Sequence, residues 1–526
     1  MAPRQVLTLL LLGIVIALLA VVGGAAPAPP SLSARLAAVE ASLLSAQPAL
    51  VDALSAWVAI PSISALPSYA GDVDAAAAWV ADYMKGVGLG NVTILRQGPT
   101  SPAVLGEWMG AGPGAPTVLI YGHGDVQPAD AETDVPAWTS PPFQATVRDG
   151  ALYGRGASDD KGGVLAALAA VGAWIQAGQG PPVNVKFFLE CQEEVGSPDM
   201  AGFLREHGGR LAADLVLSAD GSQPGPDVGA VVAGLRGAAA FEVRVRTLAG
   251  DVHSGSFGGS VANAAHALAA SVDSLHDAKG RVAMRGFYAG VPKPSKADLA
   301  AVAAYETSPH FDGSAELESL GATAPVGEVG YSTLARRWLR PTCDVVGLSA
   351  GFNGDGIKTI VPAAGSAKVA CRLVPGQTPD GVLAVAARHF GSLRLPGVTL
   401  EVVPLSFKAT PYRLPPDSPA AAAVRAVLAT LVPSPSSVFT NWMGGSIPAT
   451  AHFKALLGLD TALLAFGLPS DRVHAPDEHH PLAQFEKAGR AYARVLAELA
   501  EPGLLAGAGE GAGGAGMGAD GGRAEL

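Results

Sequence analysis

Apolar and polar positions repeat along this chain in two rhythms, one near every third or fourth residue and one near every second, and the switches between them mark out its elements. Residues 32–60 and 73–87 carry apolar side chains at helical spacing, the first stretch broken at Pro61. Residues 117–121 form a short, β-branched apolar run that stops at Gly122-His123-Gly124-Asp125, and residues 163–176 return to the helical rhythm. Residues 183–189 (VNVKFFL) and 215–217 predict two further strands, which end in Glu190-Cys191-Gln192-Glu193-Glu194 and Ser218-Ala219-Asp220. Strands alternating with helices predict an α/β domain, a mostly parallel sheet flanked by helices. Functional groups in such sheets gather beyond the carboxyl ends of the strands.

From about Gly234 the rhythm changes. Residues 239–246 alternate as AAFEVRVR, residues 262–275 are helical, and a long polar stretch follows. Strand patterns at 345–348 and 366–373, a helix at 380–390 and a strand at 398–403 complete a strand-helix-strand-strand-helix-strand series, the ferredoxin-like α+β arrangement. Residues 234–411 therefore read as an inserted domain between two parts of a parent domain, 32–233 and 412–500. The parent resumes with a helix at 419–431, a strand at 461–466 and a helix at 482–499, and His474-Ala475-Pro476-Asp477-Glu478 stands just after that strand. Residues 501–526 are Gly- and Ala-rich and are expected to be disordered.

At 526 residues and 49% hydrophobic content the chain exceeds one ordinary core. Its 35 basic and 46 acidic residues give a net charge of −11 with no basic run, which argues against a nucleic-acid partner. Arg4, an uncharged and mostly apolar stretch at 6–22 and small residues around Ala25 and Ala26 make residues 1–26 a secretory signal peptide or, if uncleaved, an N-terminal membrane anchor. The expected location is the secretory pathway: secreted, vacuolar or in the endoplasmic-reticulum lumen. The triplet Asn91-Val92-Thr93 fits such a route as a glycosylation sequon. Of three cysteines, Cys191 suits a packed thiol, and Cys343 and Cys371 could pair, although separate thiols are the favoured reading. None has metal-site spacing, so a metal would be held by nitrogen and oxygen.

The acidic and imidazole groups at the strand ends carry the chemistry. If His123, Asp159, Glu194, Asp220 and His474 converge, three carboxylates share one cleft with two neutral imidazoles, a self-repelling arrangement unless cations sit among them. Two divalent ions supply +4, balanced by three carboxylates and one hydroxide. Mixed imidazole and carboxylate ligands suit Zn²⁺ or Mn²⁺, with Asp159 as the bridge between the two ions. Asp125, in an H-x-D pattern with His123, is placed to accept that ring's second N–H. Glu193, beside Glu194, is placed to take a proton from the attacking water as general base.

The segments YGHGDVQP, LYGRGASDDKGG, ECQEEVGS, LSAD, DVHSGSFGG, GDGIKTIVP, CRLVPGQ, GGSIP and HAPDE resemble the co-catalytic two-metal aminoacylase, carboxypeptidase and dipeptidase family, most nearly its cytosolic non-specific and carnosine dipeptidase branch. The resemblance runs over residues 32–499. It implies one ion on His123, Asp159 and Asp220, a second on Asp159, Glu194 and His474, and a cis peptide at Asp159-Asp160. It also implies a homodimer formed through the inserted lid domain, in which His253 reaches the partner's active site and stabilises the oxyanion, and substrate contacts from Thr359, Arg372 and Ser446. Two departures stand out: Asn441-Trp442-Met443 precedes GGSIP where relatives carry an arginine or acid, and Asp477 replaces a frequent asparagine. The expected activity is hydrolysis of dipeptides or short peptides with a free C-terminal carboxylate. The alternatives are an aminoacylase acting on N-acyl amino acids and a catalytically silent binding protein.

Overall fold

The computed structural model describes residues 30–98, 101–129, 134, 137–502 and 504–505. The N-terminal apolar segment and most of the Gly- and Ala-rich tail lie outside the described residues. Among those described, no helix is long and apolar enough to cross a membrane.

Six strands make the main sheet, in the spatial order Gly90–Gln97, Ser101–Trp108, Asn184–Glu190, Thr117–His123, Leu215–Ser218, Thr461–Leu463. The last four run parallel, with Thr117–His123 between its two parallel neighbours, and the first two are an antiparallel pair on one edge. The parallel strands are almost wholly buried, as continuous apolar runs require when both faces are covered. Tyr121 and Phe188 pack against Phe453, and Phe188 stacks on Phe203 of the helix Met200–His207. The helix Lys161–Gln176 lies between Leu32–Val58 and Leu482–Glu498 and is buried from Lys161 through Trp174, consistent with its being apolar on every side.

A three-stranded sheet of Tyr412–Arg413, Gly229–Leu235 and Val438–Met443 forms the edge of this body. The chain leaves it at Arg236 and enters a second sheet, ordered Thr342–Ala350, Ala364–Leu373, Gly237–Arg246, Thr399–Ala409, with every pairing antiparallel. With the helices Ala264–Asp273 and Pro379–Ser392 this is the ferredoxin-like series, closed around Phe241, Phe390, Phe287 and Val369. Cys343 and Cys371 face each other across its first two strands and are joined as a disulfide, against the expectation of separate thiols. Pairing directly across two antiparallel strands brings their Cβ atoms within reach.

The stretch read as long and polar holds three helices: Lys296–Glu306, Gly313–Ser319 and Thr333–Leu339. Val302, Tyr305, Leu334 and Leu339 pack with Val228 and Trp442, so this segment rests on the three-stranded sheet of the main body. A capping box on Ser295 and Asp298 starts its first helix.

Candidate metal centre

His123 is the last residue of the central strand, and its ring is fully buried. Nδ1 lies 3.0 Å from the backbone carbonyl of Asp125, which can only accept, so this nitrogen carries a proton and Nε2 is the one left to face the cluster. The carboxylate of Asp125 stands farther off, at 3.5 Å. That carboxylate also accepts the backbone N–H groups of Glu193 (3.2 Å) and Glu194 (3.1 Å) and the hydroxyl of Ser64 (2.6 Å). Asp125 thus ties the turn after one strand to the end of its neighbour.

His123 Nε2 lies 3.0 Å from Asp159 Oδ1, and His474 Nε2 lies 3.0 Å from Asp159 Oδ2 and 3.2 Å from Glu194 Oε2. Ligand atoms of His123, Asp159 and Glu194 all fall within 4.8 Å of one another. Bonds of about 2.0–2.2 Å to nitrogen and oxygen put neighbouring ligands in one shell roughly 3 to 3.5 Å apart, so the donors present fit a divalent ion. Asp220 follows the strand Leu215–Ser218 and lies close enough to feel the charges of Asp159, His123, Glu194 and His474, although no hydrogen bond or ion pair among the described residues joins it to them.

The electrostatics point the same way. Burial, with Asp159 adding to it, pushes Asp220 up to about 7. Burial, reinforced by Asp220, Glu194 and Asp159, also drives Glu193 well above the usual carboxylate range. At Asp159 burial acts upward but is outweighed by His123 and His474, which hold the carboxyl well below that range. Burial lowers His474, and the carboxylates of Asp159 and Glu194 more than reverse this, raising it to about 10. Acids driven toward protonation by burial and by one another form a group that a divalent cation would stabilise.

Four further residues build the site. Gln127 donates to Glu194 Oε2 (2.9 Å) and to its carbonyl oxygen (3.1 Å), fixing the side chain that meets His474. Asp160 accepts the N–H of His123 at 3.3 Å, and the Asp159-Asp160 peptide is cis. A Cβ on Gly163 would fall 2.4 Å from Asp160 and 2.7 Å from the carbonyl oxygen of Ala219, so only glycine lets the helix start this close to the site. Glu478 is fully buried and accepts the N–H groups of Gly156 (3.0 Å), Ser158 (3.2 Å) and Asp159 (3.2 Å), while its other oxygen meets Arg155 Nη1 at 2.6 Å. The segment that supplies His474 therefore also holds the loop that supplies Asp159.

Among the described residues, no hydrogen bond or ion pair joins the inserted-domain residues His253, Thr359 and Arg372 to this cluster. His253 is exposed, pairs with Ile360 at a two-residue bridge beside Thr359, and its ring comes only as close as 3.5 Å to Ser256 Oγ. Arg372 Nη1 lies 3.5 Å from Ser446 Oγ, and Ser446 donates to the carbonyl of Arg236 at 2.7 Å where the chain enters the lid.

A buried cluster of imidazoles and carboxylates beyond the carboxyl ends of a mostly parallel sheet, with an inserted ferredoxin-like sheet, defines a metal-dependent hydrolase of the α/β class. Residues 119–498 match peptidase family M20/M25/M40, and the chain belongs to that family. It is 28% identical over 411 residues to the Beta-Ala-His dipeptidase of Rattus norvegicus, a match covering 77% of this chain and 81% of the relative. It is 30% identical over 429 residues to the Cys-Gly metallodipeptidase dug1 of Schizosaccharomyces pombe, covering 76% and 83%. Among solved structures, the di-peptidase Dug1p from Saccharomyces cerevisiae matches with a TM-score of 0.75 at 26% identity, covering 89% of this chain and 99% of that one. The protein is a metallopeptidase.

Proposed function

We propose that this metallopeptidase hydrolyses the amide bond of dipeptides or short peptides that end in a free carboxylate. The observation that carries the reading is the placement of Asp159, whose two oxygens each meet a different imidazole, His123 on Oδ1 and His474 on Oδ2. A carboxylate with a separate ligand group on each oxygen suits a bridge between two ions. His123, Asp159 and Asp220 would hold one ion and Asp159, Glu194 and His474 the other, with Zn²⁺ or Mn²⁺ suited to the mixed donors. Bound there, the ions would polarise the scissile carbonyl and acidify the attacking water. Glu193 takes the proton of that water on its carboxylate and passes it to the leaving amine nitrogen.

Arg372, with Thr359 and Ser446, binds the substrate's C-terminal carboxylate, for which a guanidinium fork is the matching donor. His253 donates to the developing oxyanion from the partner chain of a homodimer formed through the lid. Its exposure, and the exposed Val346 and Leu348 on the lid's outer strand Thr342–Ala350, support that assembly. The Cys343–Cys371 disulfide supports a secretory route, since such bonds persist in oxidising compartments.

The test is to chelate the purified protein, restore Zn²⁺ or Mn²⁺, and assay dipeptides beside N-acyl amino acids. The reading expects metal-dependent release of amino acids from dipeptides. Turnover of N-acyl amino acids alone, or of neither substrate, would overturn it.

A further inference from the structure

The loop that presents His474 has an unfavourable backbone. Arg472, His474 and Asp477 adopt φ values of 57°, 62° and 61°, in the left-handed region that costs any residue with a Cβ. The His474 side chain is half exposed, and its polar contacts are the carboxylates of Asp159 and Glu194. Such a side chain does not hold its own backbone, so the conformation has to be imposed from elsewhere in the loop.

Asp477 is where four donors converge. Its Oδ1 accepts the N–H of Thr139 at 2.8 Å and lies 3.3 Å from Arg148 Nη2. Its Oδ2 accepts the Thr139 hydroxyl at 2.7 Å and lies 3.7 Å from Arg472 Nη1. Its backbone carbonyl meets His479 Nδ1 at 2.9 Å, and the His479 ring stacks on Tyr153, over which Arg148 lies. Only a group that accepts on both atoms satisfies every donor. An amide would turn its own N–H groups toward Arg472 and one side of Thr139.

We propose that Asp477 is a positioning residue that presets His474 for its metal ion, by clamping the far end of the loop to Thr139, Arg148 and Arg472. The inference rests on the two-ion reading given above. An ordered loop binds without first having to be ordered, so loosening the clamp weakens one ion and spares the other.

Calorimetric titration of the metal-free full chain with Zn²⁺ tests this. With two ions bound by the wild type, Asp477→Ala is expected to weaken one by about 10- to 100-fold and leave the other unchanged. Asp477→Asn, which keeps the Oδ1 contacts, is expected to lose less than Asp477→Ala. Two wild-type affinities in Asp477→Ala, or an equal loss at both sites, would overturn the proposal. If Asp477→Ala does not fold, Thr139→Val removes one donor of the clamp, and an unchanged pair of affinities in that variant overturns it equally. A wild-type chain that takes up no Zn²⁺ would instead refute the two-ion reading itself.

Discussion

Glu478→Gln tests how the site is held together. The carboxylate and its partner Arg155 are both buried, 2.6 Å apart, and three backbone N–H groups converge on the other carboxylate oxygen. Burial raises the Glu478 carboxyl and Arg155 only partly offsets this, so the pair is costly to break rather than a large net source of stability. Glutamine keeps an oxygen for the three N–H groups but turns an amide N–H toward the guanidinium, leaving a buried charge uncompensated at a cost of about 3–5 kcal/mol. Glu478→Ala also strips the three N–H groups of their acceptor, adding about 1 kcal/mol each. Together these approach half or more of a typical total stability of about 5–15 kcal/mol. Adding Arg155→Met to Glu478→Gln removes the orphaned cation and is expected to return about 2 kcal/mol or more. Urea denaturation of the metal-free chains, followed by tryptophan fluorescence, measures all three. A Glu478→Gln chain within about 1 kcal/mol of wild type would refute the reasoning.

Burial pushes Glu190 from its ordinary 4.5 up to about 7, although it accepts from Tyr121 (2.7 Å) and Ser197 (2.9 Å). The folded state then holds this proton more tightly than the unfolded chain, so its contribution is fully present below pH 4.5 and is lost as pH rises through 7, by about 3 kcal/mol in all. Glu190→Gln should flatten that decline in denaturation midpoints measured from pH 4.5 to 7, and an unchanged slope would count against it. Replacing Cys343 and Cys371 by serine opens a loop of 28 residues and should lower stability by about 3–4 kcal/mol; no change in the urea midpoint would contradict a formed bond. Mixing inactive Glu193→Gln and His253→Ala chains should regenerate activity, because one site of a mixed dimer has both groups intact. Failure despite demonstrated subunit exchange would remove His253 from the partner's site.

The parts of the fold that show in the sequence are those where one local pattern decides the outcome. The run 117–121 is β-branched, apolar and cut off at Gly122-His123, so both the strand and the position of its terminal imidazole could be read directly. Glu194, Asp220 and His474 were legible for the same reason, each lying shortly after an apolar run. The edge strands Gly90–Gln97 and Ser101–Trp108 were not, because Asn91, Thr93 and Arg96 on the first face solvent or its margin and break the apolar alternation. The helices of 296–339 hid behind alanine-rich and glycine-rich composition, and their apolar residues make sense only against Trp442 and Val228, which are distant in the chain. The further partners of Asp125, the N–H groups of residues 193 and 194, were not legible, because a neighbouring strand carries them there. Gln127 and Glu478 were missed as positioning groups on the same ground, since each contacts residues far away in sequence.

The central claim is that Asp159 joins two ions. Elemental analysis of dialysed wild-type protein and of Asp159→Asn, Asp220→Asn and His474→Ala chains tests it directly. Two ions per wild-type chain, about one in Asp220→Asn and in His474→Ala, and none in Asp159→Asn are the predicted values. A wild-type chain without bound ions, or an Asp159→Asn chain that keeps both, would contradict the account.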